Sequence, residues 1–289
     1  MKKISIFNQK GGVGKTTSVV NIAVALNKLK KKVLVIDMDP QANTTTGLGV
    51  DKYEDENSIY DLFYEINSNE DENEEVKDPD NKVEEENEED QEIKEEEEKK
   101  DKEIDFSKYI KETNSGVFLI KSESSLSGLE VELVSLDPVT RTQILKKIVD
   151  QLDDSYDFVL IDCPPSLGLL SINALVASDS IIIPIQTEYY ALEGVSELMN
   201  TYSLVKDSLN KDLEIDGVLL TMFDKRTKLS YEVVEEVKSY FKGKVFKTMI
   251  PRNVRLAEAP SYGKSVIEYE GRSKGATAYK ILAQEIIER

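Results

Sequence analysis

The 289-residue chain contains no histidine and no tryptophan, and Cys163 is its only cysteine. A single thiol cannot close an intramolecular disulfide or build a thiolate zinc site, and the lack of histidine excludes most zinc, copper and haem chemistry. No apolar run reaches the roughly 18 residues of a membrane span, and the first residues enter a strand-like run without the apolar core of a signal peptide. We therefore expect a soluble cytoplasmic protein whose chemistry uses carboxylates, lysines, hydroxyls or bound Mg²⁺.

Acidic residues are concentrated in one segment. The chain carries 37 basic and 56 acidic residues, and 21 of the acids but only 6 of the bases lie between Asn67 and Asp105. That segment has no aromatic residue and few apolar ones, so it cannot bury enough surface to offset its ordering entropy. The composition predicts one domain formed by residues 1–66 and 106–289, with an acidic, disordered or loosely helical insertion at 67–105. The insertion is either a solvated loop extension or an arm that interacts with a partner or repels DNA.

The rest of the chain alternates short β-branched runs with stretches of helical spacing. Such runs are typical of strands buried on both faces, and helical crossovers between them predict an α/β fold with a doubly wound, mostly parallel sheet flanked by helices. The predicted strands are Ile4–Phe7, Val33–Ile36, Val117–Ile120, Phe158–Ile161, Ile181–Ile185, Val218–Met222 and Val245–Ile250. The predicted helices are Ser58–Ile66, Thr16–Leu29, Arg141–Leu152, Leu169–Ala177, Ala191–Leu209, Leu229–Phe241 and Gly275–Arg289.

The strongest local signal is a glycine-rich loop between the first strand and the first helix. Residues 9–17 read QKGGVGKTT, with Gly11, Gly12, Val13 and Gly14 before Lys15. Glycines let backbone amides turn towards phosphates, and the helix N-terminus adds partial positive charge. In such a P-loop the lysine neutralises the β- and γ-phosphates and the following hydroxyl holds Mg²⁺. The loop, with Thr16 and Thr17 at its end, therefore predicts a site for ATP and Mg²⁺ in a P-loop NTPase fold.

Two groups of carboxylates follow strands that the pattern predicts to be buried. Asp37 and Asp39 end the second strand and are expected beside the phosphates, with Asp39 orienting the attacking water. The run Phe158–Ile161 ends in Asp162, as expected of the acid that completes the Mg²⁺ shell. An acid at a strand end can also cap the next helix, but its combination with the glycine loop favours the metal role.

The loop departs from the common P-loop pattern, because Gln9 replaces its first glycine and a second lysine, Lys10, precedes Gly11. This arrangement resembles the deviant Walker A motif of the ParA/MinD family. The resemblance implies that Lys10 reaches across an ATP-bound homodimer to the partner's phosphates, and that residues 39–43, DPQAN, are switch I. Ala42 stands where many members have glycine.

Two further segments, residues 218–227 (VLLTMFDKRT) and 250–264 (IPRNVRLAEAPSYGK), resemble chromosomal ParA proteins, also called Soj. The resemblance covers the chain except for the insertion. It implies that Pro251 and Asn253 lie against the adenine and that Arg226 and Arg255 bind nonspecific DNA in the ATP state. It also implies a ParB-type partner, a role in chromosome or plasmid partitioning, and a nucleoid-associated cytoplasmic location.

The C-terminal part has a charge that suits contact with DNA. From Leu219 to Arg289 there are 14 bases and 9 acids in a chain of net charge −19. A solvated surface could have the same composition, so charge alone does not decide. Two alternatives stay open: a MinD-like positioning ATPase that works on a membrane, which the mixed charge of the last helix disfavours, and a weakly hydrolysing, nucleotide-gated scaffold.

Overall fold

A computed structural model of the chain describes residues 1–53, 57–75, 104–188 and 193–289. Its strands are β1 (Lys2–Ile6), β2 (Val33–Asp37), β3 (Ile110–Glu112), β4 (Phe118–Ile120), β5 (Phe158–Asp162), β6 (Ser180–Gln186) and β7 (Glu214–Thr221). They form one sheet in the order β3-β4-β2-β5-β1-β6-β7. All neighbours are parallel except β3 and β4, which form an antiparallel edge. The predicted doubly wound, mostly parallel sheet is confirmed.

Helices cover both faces of the sheet. They are α1 (Lys15–Lys28), α2 (Asn43–Gly47), α3 (Ile59–Glu75), α4 (Leu126–Leu133), α5 (Thr140–Asp150), α6 (Leu169–Val176), α7 (Glu193–Ser208), α8 (Lys228–Tyr240), α9 (Val254–Glu258), α10 (Val266–Tyr269) and α11 (Lys274–Ile287). Short 3₁₀ turns occupy Phe106–Lys108 and Ala259–Tyr262.

The core has two halves because successive strand residues point to opposite faces. In β2, Leu34 and Ile36 enter one apolar cluster, while Val33 and Val35 enter the other. The second cluster contains the buried faces of α1 and α11. The last helix is thus an ordinary packing helix, as its sequence indicates. Among the described residues, no helix combines the length and the apolar character needed to cross a membrane.

The predicted strand Val245–Ile250 is wrong. This segment runs beside β7 but makes only isolated bridges, Val218 with Val245 and Phe223 with Pro251. The Glu285 carboxylate on α11 accepts hydrogen bonds from the backbone amides of Lys247 (2.7 Å) and Thr248 (3.1 Å). These two amides are therefore not available for β-sheet hydrogen bonds with β7.

The helix predicted at Ser58–Ile66 begins at Ile59 and continues to Glu75, past the predicted start of the insertion. The chain is described again from Ile104, which is buried, and the Tyr109 hydroxyl donates to the Glu65 carboxylate on α3. The remainder of the predicted insertion, 76–103, lies outside the described residues. The segment that follows the insertion therefore contacts α3.

Candidate active site

The glycine loop turns at two residues whose backbone favours glycine. Gly12 has φ 75° and Gly14 has φ 92°, in the left-handed region where a side chain is strained. α1 begins directly after them at Lys15, so its free amides face the loop. The Val13 carbonyl accepts a hydrogen bond from the Thr221 hydroxyl at the end of β7 (2.8 Å), which ties the loop to the sheet.

Asn8, a residue that sequence reasoning missed, holds the loop at its start. Its Oδ1 accepts from the Lys10 amide (2.9 Å), and its Nδ2 donates to the Pro184 carbonyl on β6 (2.7 Å). Next to it, Gln9 Nε2 donates to Thr201 Oγ1 on α7 (2.7 Å). The position of Asn8 between strand and motif was the only available signal, because its partner Pro184 is distant in sequence.

The two lysines of the loop lie in different surroundings. Lys15 is buried, and its Nζ donates to the Lys10 carbonyl (3.1 Å). Burial lowers the pKa of Lys15, although the carboxylates of Asp162 and Asp39 oppose this. The Lys10 side chain is exposed and does not line the P-loop cavity. Of these two lysines, Lys15 is therefore the one that lines the P-loop cavity.

Asp162 lies beneath the loop with its two oxygens in unequal positions. Oδ2 accepts from Thr16 Oγ1 (2.8 Å) and from Thr44 Oγ1 on α2 (2.6 Å). Oδ1 is buried and has no hydrogen-bond partner within the described part of the chain. Burial raises the pKa of Asp162 to about 6, against the two hydroxyls, which lower it. A hard cation such as Mg²⁺ prefers oxygen ligands and is usually bound together with phosphate oxygens and water. Asp162 Oδ1 and the nearby Thr16 hydroxyl fit the surroundings of such a cation.

Asp37 and Asp39 do not share the position that the sequence predicted. Asp37 is fully buried; its Oδ2 accepts from the Thr45 amide (2.8 Å) and hydroxyl (2.7 Å), and its Oδ1 from the Asp39 amide (3.2 Å). Burial and nearby Asp162 raise the pKa of Asp37 to about 8, against these hydrogen bonds. Asp39 lines the P-loop cavity, whereas Asp37 supports the turn that carries it.

Ala42, the residue directly before α2, has an unusual backbone conformation. Its φ is 54°, in the left-handed region, and the residue is fully buried. The departure from glycine is therefore accommodated at a conformational cost of about 1–2 kcal/mol.

Two adjoining cavities form the candidate nucleotide site. One, of about 360 Å³, is lined by the glycine loop, Thr16, Thr17, Asp39 and Pro165. The other, also about 360 Å³, is more apolar and contains Pro251, Asn253 and Leu256. Gly14, Thr17 and Met222 line both. A phosphate chain in the first cavity would thus direct its base into the second.

The two candidate DNA-binding arginines do not line the second cavity, and each is paired with an acid. Arg226 makes two contacts with Asp224, from Nε (2.9 Å) and Nη2 (2.6 Å), and Arg255 Nη1 contacts Glu258 (2.6 Å). Both arginines are exposed. The segments that carry them are adjacent, because the amide of Arg252 donates to the carbonyl of Phe223 (3.0 Å).

The parallel sheet, the glycine loop and the acid beneath it define the class of P-loop nucleotide-binding ATPases. A family model described as an AAA domain matches residues 1–215. The chain is 47% identical over 285 residues to the sporulation initiation inhibitor protein Soj of Bacillus subtilis, which covers 99% of this chain and 98% of that protein. It is 42% identical over 286 residues to the chromosome partitioning protein ParA of Myxococcus xanthus, covering 99% and 88%. The chain belongs to the Soj/ParA family of ParA/MinD-type ATPases.

Solved structures share this fold. Cobyrinic acid a,c-diamide synthase from Mycobacterium smegmatis, with bound ADP and magnesium, has a TM-score of 0.75 at 30% identity, covering 99% of this chain and 94% of that one. A putative plasmid partition protein from Borrelia burgdorferi, bound to the ATP analogue AMPPNP, has a TM-score of 0.67 at 26% identity, covering 99% and 98%.

Proposed function

We propose that this chain is a Mg²⁺-dependent ATPase that dimerises with ATP, binds nonspecific DNA in that state, and partitions chromosomes or plasmids with a ParB-type partner. The observation that carries the proposal is the continuity from the phosphate loop to the base cavity and on to α9, the helix that bears Arg255. Relatives named for chromosome partitioning support the biological role. The proposal also includes a single ATPase domain formed by residues 1–66 and 106–289, an insertion at 67–105, and a cytoplasmic location in association with the nucleoid.

ATP binding is assigned to the two cavities. Amides of Gly11, Gly12, Val13 and Gly14 and the start of α1 surround the phosphates, and Lys15 exchanges its contact with the Lys10 carbonyl for a phosphate oxygen. The base lies against Pro251 and Asn253 in the more apolar cavity. This division follows the chemistry of the ligand, with charge at one end and a flat ring at the other.

Mg²⁺ is the cofactor that the polar contacts fit. The Thr16 hydroxyl donates a hydrogen bond to Asp162 and keeps its lone pairs for a cation. Asp162 Oδ1, which has no hydrogen-bond partner in the described part of the chain, would accept from a water of the metal shell. When bound, Mg²⁺ neutralises charge on the phosphate oxygens. The protein supplies few ligands of its own, as is usual for Mg²⁺ held with a nucleotide.

Lys10 and Asp39 are assigned to the steps that follow binding. The exposed Lys10 ammonium reaches the phosphates of a second subunit and stabilises their charge, so that ATP binding and dimerisation favour each other. Asp39 faces the phosphate cavity and orients the attacking water. Hydrolysis, stimulated by the partner, then releases the dimer from DNA.

DNA binding is assigned to Arg226 and Arg255, which exchange their carboxylate partners for backbone phosphates. Exposed ion pairs of this kind contribute little to stability, so the exchange costs little. Contacts with phosphates alone carry no base sequence information. The assignment therefore fits a protein that coats DNA without selecting a site.

The proposal is tested by light scattering coupled to gel filtration, with a slowly hydrolysed ATP analogue, ADP or no nucleotide. Wild type is expected to form a dimer only with the analogue. Lys15→Ala should lose nucleotide affinity by about 100-fold, the upper range for a charged hydrogen bond, and stay monomeric. Lys10→Ala should bind ADP normally but stay monomeric with the analogue.

Lys28→Ala is the matched control, because Lys28 is exposed at the far end of α1. It should behave as wild type. A Lys10→Ala variant that still forms the analogue-dependent dimer would exclude the assignment of Lys10 to the partner's phosphates.

A further inference from the structure

Thr44, which sequence reasoning did not select, supplies the second hydroxyl that donates a hydrogen bond to Asp162. It is fully buried in α2, and its Oγ1 lies 2.6 Å from Asp162 Oδ2, the oxygen that also accepts from Thr16 at 2.8 Å. One donor comes from the glycine-loop helix and the other from the segment that follows Asp39. The carboxylate therefore joins the two parts of the site.

These two donors fix the rotation of the carboxylate. With Oδ2 occupied twice, Oδ1 is the oxygen that has no partner in the described structure, although it is fully shielded from solvent. Leaving a buried carboxylate oxygen unsatisfied is unfavourable unless a ligand or water supplies a donor. Thr44, together with Thr16, thus determines which oxygen of Asp162 is available to a metal-bound water.

Thr44 can reach Asp162 only while the turn after β2 is docked. Its neighbour Thr45 donates to Asp37, accepts from the Ser122 amide (3.1 Å), and is held beside β4 by that contact. The Ser122 hydroxyl donates to the Asp39 carbonyl (2.7 Å). The same docking that places Thr44 on Asp162 therefore places Asp39 at the phosphate cavity.

We infer that Thr44 is a positioning residue for Mg²⁺, which holds Asp162 in its metal-binding orientation and couples metal occupancy to the docked position of Asp39. The inference rests on the proposed function, because it assumes a Mg²⁺-nucleotide complex at the loop. Thr44 contacts Asp162 and is not itself assigned as a metal ligand. Outer contacts of this kind typically change metal affinity by about 10–100-fold.

Three variants separate the hydroxyl from the shape of the residue. Thr44→Val keeps the branched shape and removes the donor, whereas Thr44→Ser keeps the donor. Thr46→Val is the matched control, because Thr46 lies in the same helix and, among the described residues, its hydroxyl donates only to the carbonyls of Ala42 and Asn43. If Thr44→Val does not fold, the pair Thr44→Ser and Thr44→Ala, which differ by one hydroxyl, replaces it.

The measurement is a Mg²⁺ titration of the full-length protein with ADP carrying a fluorescent methylanthraniloyl group, together with the affinity for the same nucleotide in EDTA. Thr44→Val should raise the half-saturating Mg²⁺ concentration by at least about tenfold. Thr44→Ser should stay within about threefold of wild type, and Thr46→Val should be unchanged. In EDTA all variants should bind the nucleotide within about twofold of each other, which a general loss of structure would not allow.

An unchanged Mg²⁺ requirement in Thr44→Val would overturn the inference. An equal shift in Thr44→Ser would do the same, since packing and not the hydroxyl would then be responsible. Failure of wild type to bind the nucleotide at any Mg²⁺ concentration would instead count against the proposed function.

Discussion

Asn253 Oδ1 accepts a hydrogen bond from the backbone amide of Arg255 at 2.9 Å and so caps α9. Asn253 lines the cavity assigned to the base, and Arg255 is exposed on the outer side of the same short helix. A base that displaces or reorients Asn253 acts on the cap of the helix that carries the arginine. This contact links the lining of the second cavity to the helix that bears the proposed DNA-binding arginine.

Charge reversal of the arginines should weaken DNA binding and spare the dimer. Arg226→Glu and Arg255→Glu are each expected to lower the affinity for nonspecific duplex by at least about tenfold at low salt, and to reduce the salt slope by about 1 per lost contact. Fluorescence anisotropy measures the affinity, and gel filtration with an ATP analogue measures the dimer.

Lys211→Glu is the control for these variants, because Lys211 is an exposed cation just before β7, at the opposite end of the strand from Arg226. It changes the net charge equally and should have little effect. Equal losses in all three variants would mean that overall charge, and not this surface, governs binding.

Asp39→Ala should stop hydrolysis while leaving the ATP dimer intact. The side chain lines the phosphate cavity, and its only hydrogen bond in the described structure is from the Gln41 amide (3.0 Å), so the loss of the carboxylate mainly removes the group that orients water. Phosphate release should fall by about 100-fold or more. Turnover at the wild-type rate would remove Asp39 from the mechanism.

The acidic insertion is expected to oppose DNA binding. If the insertion repels DNA, deletion of Asn67–Asp105 should tighten DNA binding at low salt. The deletion would also remove the buried Ile104 and part of α3, so a milder change is preferable. Replacing Glu84, Glu85, Glu86, Glu88 and Glu89 by Gln lowers the charge and keeps the chain length. Affinity should rise at low salt and converge with wild type at high salt. Substitution of the same five residues by Asp should change nothing, and unchanged affinity in the Gln variant would identify the insertion as a solvated extension.

Gly263→Ala should destabilise the fold. Gly263 has φ 59°, and a Cβ there would lie 2.9 Å from the Gly49 Cα in the loop after α2. Left-handed strain and overpacking together predict a loss of about 2–4 kcal/mol in the free energy of unfolding. Gly128→Ala is the control, because a Cβ at this exposed position in α4 meets nothing within 4 Å, and helix propensity makes it neutral or slightly stabilising. Urea unfolding measures the free energy of unfolding of the two variants, compared at equal m-values. Equal stabilities would contradict the close approach of Gly263 to Gly49.

The glycine loop and Asp162 could be found from the sequence because each combines a local motif with a strand. Thr44, Ser122 and Asn8 could not, since their partners Asp162, Asp39 and Pro184 are far away in the chain. The run from Val245 to Ile250 has strand character, yet Glu285 on a distant helix takes its amides. Local patterns thus predict the secondary-structure elements and the motifs. The contacts of Thr44, Ser122 and Asn8, and the loss of strand structure after Val245, depend on hydrogen bonds between residues that are distant in sequence.

Control of DNA binding by ATP can be measured by the anisotropy of a fluorescent nonspecific duplex across a salt series. The protein is measured without nucleotide, with ADP and with a slowly hydrolysed ATP analogue. We expect binding only with the analogue, with an affinity that falls steeply as salt rises. Equal binding in all three states, or no binding in any, would contradict it.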